Sequence, residues 1–277
     1  DLSVVSSSWV KSLLGMDGWQ KIVKQSVHPC VFKVLQEIVL NKKIDEILKD
    51  LYKKLYLSAW SCDANIEELA KAHSNYIKEL MKEYKDRPYH NYEHILDGLE
   101  VLQKYYKETD PVILYAWLMH DIVPNEDEAI KIAINEIDNI SISRVNGDEL
   151  YTTTINKVKT LIEATKHNTC EYNTEDERVF ASVDLMTLGG TQSEYNSYYD
   201  LVCNEYREKE KKDKKDNFDE NMYFDKWVRG RAEFVRKFLA RKKIYPSDYP
   251  LFSNREQSAR ENIENEIDLH TAYLDEN

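Results

Sequence analysis

Glycine and proline are scarce in this chain, and that scarcity limits its folds more than any other feature. Seven glycines and six prolines in 277 residues leave few positions where a regular element has to break. Apolar residues recur at helical spacing, as in Ile44, Ile47, Leu48, Leu51 and Leu55, and strand-like alternating runs are few. An all-α protein is expected. The length suits one large domain, or one domain plus an extension, with enough chain to bury a sizeable core.

Charge and cysteine usage exclude several function classes. A net charge of −12 argues against nucleic acid as a partner, because neutralising phosphates needs a basic surface. It still allows a small anionic substrate where a bound metal supplies local positive charge. Cys30, Cys62, Cys170 and Cys203 are scattered without a CxxC pair, which speaks against a structural zinc knuckle and favours reduced thiols. No run approaches the roughly 18 apolar residues of a membrane span. The start, Asp1-Leu2-Ser3-Val4-Val5, lacks a signal-peptide shape. A cytoplasmic protein without a membrane partner is expected.

Residues 1–57 read as an amphipathic helical extension, whose apolar stripe must be covered by this domain or by a second copy in a homo-oligomer. His28 precedes Pro29 and reads as a turn histidine. Asp63 is placed to cap a helix over about residues 64–84. Pro88 breaks the register, and a helix is predicted from near Tyr89, carrying His90 and His94. Asp110 and Pro111 are a cap and a first helical residue, followed by Val112 to Met119, apolar almost all round. Asn125 caps the next helix, with Glu126, Asp127 and Glu128 in its first turn. Thr174 and Glu177 form a capping-box pattern for a helix through Asp184, stopped by Gly189-Gly190. The mixed-charge run over residues 208–217 reads as a solvated stretch.

Four of the seven histidines fall in one ordered series: His90, His94, His120 and His167, with Asp121 and Asp184 beside them. Imidazoles and carboxylates are the natural ligands of zinc, iron, manganese and related ions. On a helix, His90 and His94 share a face. His120 and Asp121 diverge by about 100° on a helix. Both reach one cluster only near a helix end, or where two ions share the site. A charged aspartate closing a buried helix is costly unless it meets a cation. One or two divalent ions (Mn, Mg, Fe, Zn, Co or Ni) are therefore expected.

At these residues the chain resembles the HD superfamily of metal-dependent phosphohydrolases, whose pattern is a histidine, a His-Asp pair and a distant aspartate on helices. His94, His120, Asp121 and Asp184 occupy those places. Further matches to one branch of predicted HD phosphohydrolases are Arg87, Tyr89-His90-Asn91, Trp117, Asn125-Glu126, Ala164-Thr165, His167, Leu188-Gly189, Glu205-Tyr206, Gly230-Arg231 and Ala259-Arg260-Glu261-Asn262. The resemblance covers about residues 58–275, so the chain is read as an extension over 1–57 and an HD-type helical domain over 58–277.

The resemblance implies metal-assisted hydrolysis of a nucleotide or related phosphate ester, with His94, His120, Asp121 and Asp184 as ligands. The Tyr89-His90-Asn91 stretch is also similar to the site of cyclic nucleotide phosphodiesterases, which implies His90 as general acid. Glu126 is a candidate for positioning the attacking water. Arg87, Lys166 and His167 are candidates for substrate contact; the alternative for Arg87 is pairing with one of the many carboxylates, and His167 would also serve as a further ligand or as a helix-end histidine. Two departures stand out: the loop after Asp121 is short and holds Pro124, and Ser182 stands where an acidic residue is expected. The rival readings are an HD-type di-iron oxygenase and a non-catalytic regulatory protein stabilised by its metal.

Overall fold

The computed structural model describes residues 18–56, 66–106, 110–140, 149–168 and 171–276. The protein is all-α, with no strand among the described residues. No helix there is long and apolar enough to cross a membrane. Two compact units are present: residues 1–86 with 90–163, and residues 87–89 with 164–277. Asp63, Cys62 and Cys170 lie outside the described residues, while Cys30 and Cys203 are free thiols.

The first unit is built on one long helix. After α1 (Trp19–Ser26), α2 runs from Pro29 to Tyr56, and the turn between them is closed by His28 Nδ1, which accepts from the Cys30 N–H at 3.2 Å. The following helices are α3 (Ile66–Met81), α4 (Tyr92–Tyr105), α5 (Pro111–Met119), α6 (Glu126–Ile140) and α7 (Glu149–Ala164). Helix α2 packs on α3, α5 and α4. Its stripe of Ile44, Ile47, Leu48, Leu51 and Leu55 is at most 2% exposed. The division expected at residue 57 is therefore not where the contacts divide the chain: the described part of the extension is core of the first unit.

Helix α5 is the centre of that unit for the reason its composition suggested. A helix apolar on every side must be surrounded, and no residue from Val112 to Met119 is more than 4% exposed. Asp110 caps it, accepting from the Val112 N–H at 3.0 Å, and is held by Lys54 and Lys157, each at 2.9 Å. Trp117 fits only because α4 carries Gly98 opposite. A Cβ built there would stand 2.0 Å from Trp117 Cζ2. Gly98→Ala is expected to push the indole out of place and cost about 1–3 kcal/mol, as overpacked cores do. Urea unfolding checks this, and a change under about 0.5 kcal/mol, the usual size for a neutral surface site, would show that the indole moves freely.

The second unit contains α8 (Glu175–Asp184), a 3₁₀ segment over Leu185–Gly189, α9 (Gln192–Lys214), α10 (Glu220–Leu239), the short α11 (Pro250–Ser253) and α12 (Glu256–Glu276). Helices α10 and α12 pack together, and α12 also covers the 3₁₀ segment. Asn262 donates from Nδ2 to the carbonyls of Leu188 and Gly190, both at 2.9 Å, which satisfies the end of that segment. The capping box expected at Thr174 is only half formed. Thr174 accepts from the Glu177 N–H, but Glu177 reaches back one residue further, to the N–H of Asn173 at 2.8 Å. The charged run over 208–217 continues α9 through Lys214.

Arg231, one of the residues carrying the resemblance, is structural. It is buried against Glu266 at 3.0 Å, with Tyr195 donating to the same carboxylate and the Tyr198 hydroxyl accepting from Arg231. A buried charge pair of this kind holds only when its remaining polar atoms are satisfied, and here they are shared among named neighbours.

Candidate metal centre

Two elements of the first unit bring the histidines together. Helix α4 carries His94 in its first turn, and α5 ends on His120, with Asp121 next. The histidines are aimed by their surroundings. His120 Nδ1 lies 2.7 Å from the Trp117 carbonyl. A carbonyl only accepts, so Nδ1 carries the hydrogen and Nε2 keeps its lone pair when the ring is neutral. The Trp117 indole stacks on the His120 ring at 4.2 Å and donates to the Ile95 carbonyl at 3.0 Å. His120 is fully buried.

The donor atoms converge. His94 Nε2 and His120 Nε2 are 3.4 Å apart, and Asp121 Oδ2 lies 3.4 Å from the first and 3.0 Å from the second. His94, His120 and Asp121 each offer an atom within 4.8 Å of the others. Two imidazole lone pairs and a carboxylate oxygen at these separations repel one another unless a cation or protons lie between them. Burial alone would raise the Asp121 carboxyl. Positive charge on His120 and His90, with hydrogen bonds from His120 and His94, outweighs burial and holds the carboxyl well below its usual range. The donor set fits a divalent ion, borderline-soft nitrogen ligands with one hard oxygen.

His90 is near this trio but not on the helix expected for it. Helix α4 starts at Tyr92, because Asn91 is its N-cap: its side chain accepts from the N–H groups of Glu93 and His94 at 2.8 and 3.3 Å. His90 therefore sits in the bend before the helix. Its ring still meets that of His94 at 5.7 Å, and its Nε2 is 3.8 Å from Asp121 Oδ2. Its side chain is 25% exposed against 8% for His94, so His90 faces outward from the buried donors.

In the second unit, His167 and Asp184 form a pair of their own. His167 stands three residues beyond the end of α7, with Nε2 2.8 Å from Asp184 Oδ2. Arg87 is held by Glu205: Nε and Nη2 both donate to Oε1, at 3.0 and 2.8 Å, and Oε2 accepts the Tyr89 N–H at 2.9 Å. Of the two roles expected for Arg87, the described residues show the pairing with a carboxylate. Glu126 is the first residue of α6 and half-buried, with Asn125 capping through the Glu128 N–H at 2.9 Å. Lys166 is half-buried next to His167. Glu205 and Arg241, which donates to the His167 carbonyl at 2.5 Å, were not singled out among the sequence candidates for chemistry. Glu205 carried only a family match, and Arg241 had no local signal at all. A scan against protein-family models finds no match to this chain, and a search of curated proteins finds no relative.

Proposed function

We propose that the protein is a metal-dependent phosphohydrolase acting on a nucleotide or related phosphate ester. One observation carries the reading: the convergence of His94 Nε2, His120 Nε2 and Asp121 Oδ2, with His90 just outside the trio. His94, His120 and Asp121 hold the ion, and Asp184 is assigned as the fourth ligand from its place in the ordered motif series. A divalent ion bound there lowers the pKa of a water and offsets charge on phosphoryl oxygens.

The remaining steps belong to the chain's own groups. His90, partly exposed and 3.8 Å from the Asp121 carboxylate, keeps a proton and delivers it to the leaving oxygen. Glu126, at the start of α6, orients the attacking water. Lys166 supplies positive charge to the phosphoryl group. Arg87, engaged by Glu205, is left out of the substrate contacts.

The test is phosphate release from a panel of nucleoside mono-, di- and triphosphates and an aryl phosphate, each with added Mn²⁺, Mg²⁺, Zn²⁺ or Co²⁺. No turnover under any of these conditions would sink the proposal. His90→Asn is expected to retain the ion and lose about 10²–10⁴-fold in turnover on substrates with poor leaving groups. An aryl phosphate whose leaving group needs no proton should lose far less. Equal losses on both substrate types would remove the acid role from His90.

A further inference from the structure

His167 has an unusual backbone. Its φ is +53°, in the left-handed region that residues with a side chain avoid. Such a conformation persists where its surroundings hold it, and it marks sites where a side chain must point in one direction. The holding groups are Arg241 and Phe238. Arg241, just past the end of α10, donates from Nη2 to the His167 carbonyl at 2.5 Å. The Arg241 guanidinium lies over the Phe238 ring at 4.5 Å, and Phe238 meets the His167 ring edge-on at 5.8 Å.

Arg241 is itself fastened. Arg260 on α12 donates to the carbonyls of Leu239, Arg241 and Lys242, at 3.3, 2.9 and 3.1 Å. Its other partner is Glu256, at 2.8 Å. The end of α10 is thus closed by a cation on its last carbonyls. One path of contacts leads from α12 through Arg260 and Arg241 to His167, and from His167 Nε2 to Asp184 Oδ2.

The His167 side chain is buried, only 7% exposed, and Nδ1 has no hydrogen-bond partner among the described residues. Among the described residues, its side chain makes its polar contact with the carboxylate of Asp184. That carboxylate accepts, so Nε2 donates. A carboxylate gripped on one oxygen presents the other in a fixed direction, which is how outer partners set ligand geometry in metal sites.

We propose that Arg241 is a positioning residue for the metal site, holding His167 in its left-handed conformation so that His167 fixes the carboxylate of Asp184. The inference rests on the reading of Asp184 as a ligand. His167 is then a partner of Asp184 rather than a group that meets substrate.

The experiment is Mn²⁺ titration of the full chain by calorimetry, with folding of each variant and its metal-free Tm followed by circular dichroism. Arg241→Ala is expected to weaken Mn²⁺ binding by roughly 10–100-fold, the range seen when an outer partner of a ligand is lost. Arg241→Lys, which keeps a cationic donor, should recover most of that loss. A folded Arg241→Ala protein with the wild-type Kd overturns the proposal, even if its metal-free Tm falls, because that is the signature of a merely structural role. Should Arg241→Ala not fold, Arg241→Gln carries the same test with the same two outcomes. Asp184→Ala, run alongside, separates the two levels. Wild-type binding by that variant removes Asp184 from the ligand set, whereas its loss of Mn²⁺ with unaltered Arg241 variants removes only the role of Arg241.

Discussion

A chain truncated to residues 58–277 is expected to aggregate or remain unfolded rather than behave as an isolated domain. Ile44, Ile47, Leu48, Leu51 and Leu55 are all at most 2% exposed, and Leu40, Phe32 and Tyr52 at most 5%. Burying each large apolar side chain stabilises by about 1.5–3 kcal/mol. The five residues of the stripe alone supply about 10 kcal/mol, comparable to the whole stability of a typical domain. Their removal also strips cover from α3, α4 and α5, which carry apolar faces of their own. Lys54 goes with them, leaving the Asp110 cap of α5 with one fewer cation. Because His120 directly follows α5 as its C-cap, the candidate metal centre should be lost together with the fold. Size-exclusion chromatography and far-ultraviolet circular dichroism of the truncated chain check this. A soluble 58–277 chain with a cooperative thermal transition would show that α2 is dispensable.

His120→Ala and Asp121→Ala are expected to abolish stable binding of a divalent ion and to remove the stabilisation that the ion confers. A ligand bound only by the folded state stabilises it by about 2.7 kcal/mol at a hundred times its Kd. For a unit of this size that corresponds to roughly 5–10 °C in Tm. Wild-type protein should therefore fall in Tm when a chelator is added and recover with Mn²⁺ or Zn²⁺, while both variants stay insensitive to either. His120→Ala carries a second cost, because the ring fills a fully buried space and donates to the Trp117 carbonyl. Its metal-free Tm should lie below that of the chelated wild type. The Asp121 side chain is smaller and 18% exposed, against 0% for His120, so its removal leaves less of a buried void and the metal-free Asp121→Ala protein should tolerate the change better. Full metal content in both purified variants would overturn the ligand assignment.

What the sequence made legible about the site was its chemistry, and what it hid was its placement. His94, His120 and Asp121 were readable because few residue types ligate metals and theirs recur in order. His90 was expected one helical turn from His94. The structure places it in the bend before α4 because the Asn91 side chain takes the N–H groups that would otherwise begin the helix. An asparagine reads equally well as a helix residue or as a cap until its neighbours' N–H groups have a place to go. The destination of Arg87 was equally out of reach. Glu205 lies 118 residues away, and fifty acidic side chains in the chain compete as partners.

The sequence by itself determined the all-α class, the burial of α5 and the identity of the clustered donors. These follow from local rules: too few breakers to interrupt helices, a segment apolar on every side, and side chains whose chemistry has few other uses. Only the tertiary structure decided that α2 belongs to the core of the first unit, since an amphipathic stripe states that a face must be buried and not against what. It also decided that Arg241 and His167 act together. A left-handed φ and a cation on a distant carbonyl arise from packing between segments far apart in the chain, and no spacing along the sequence records them.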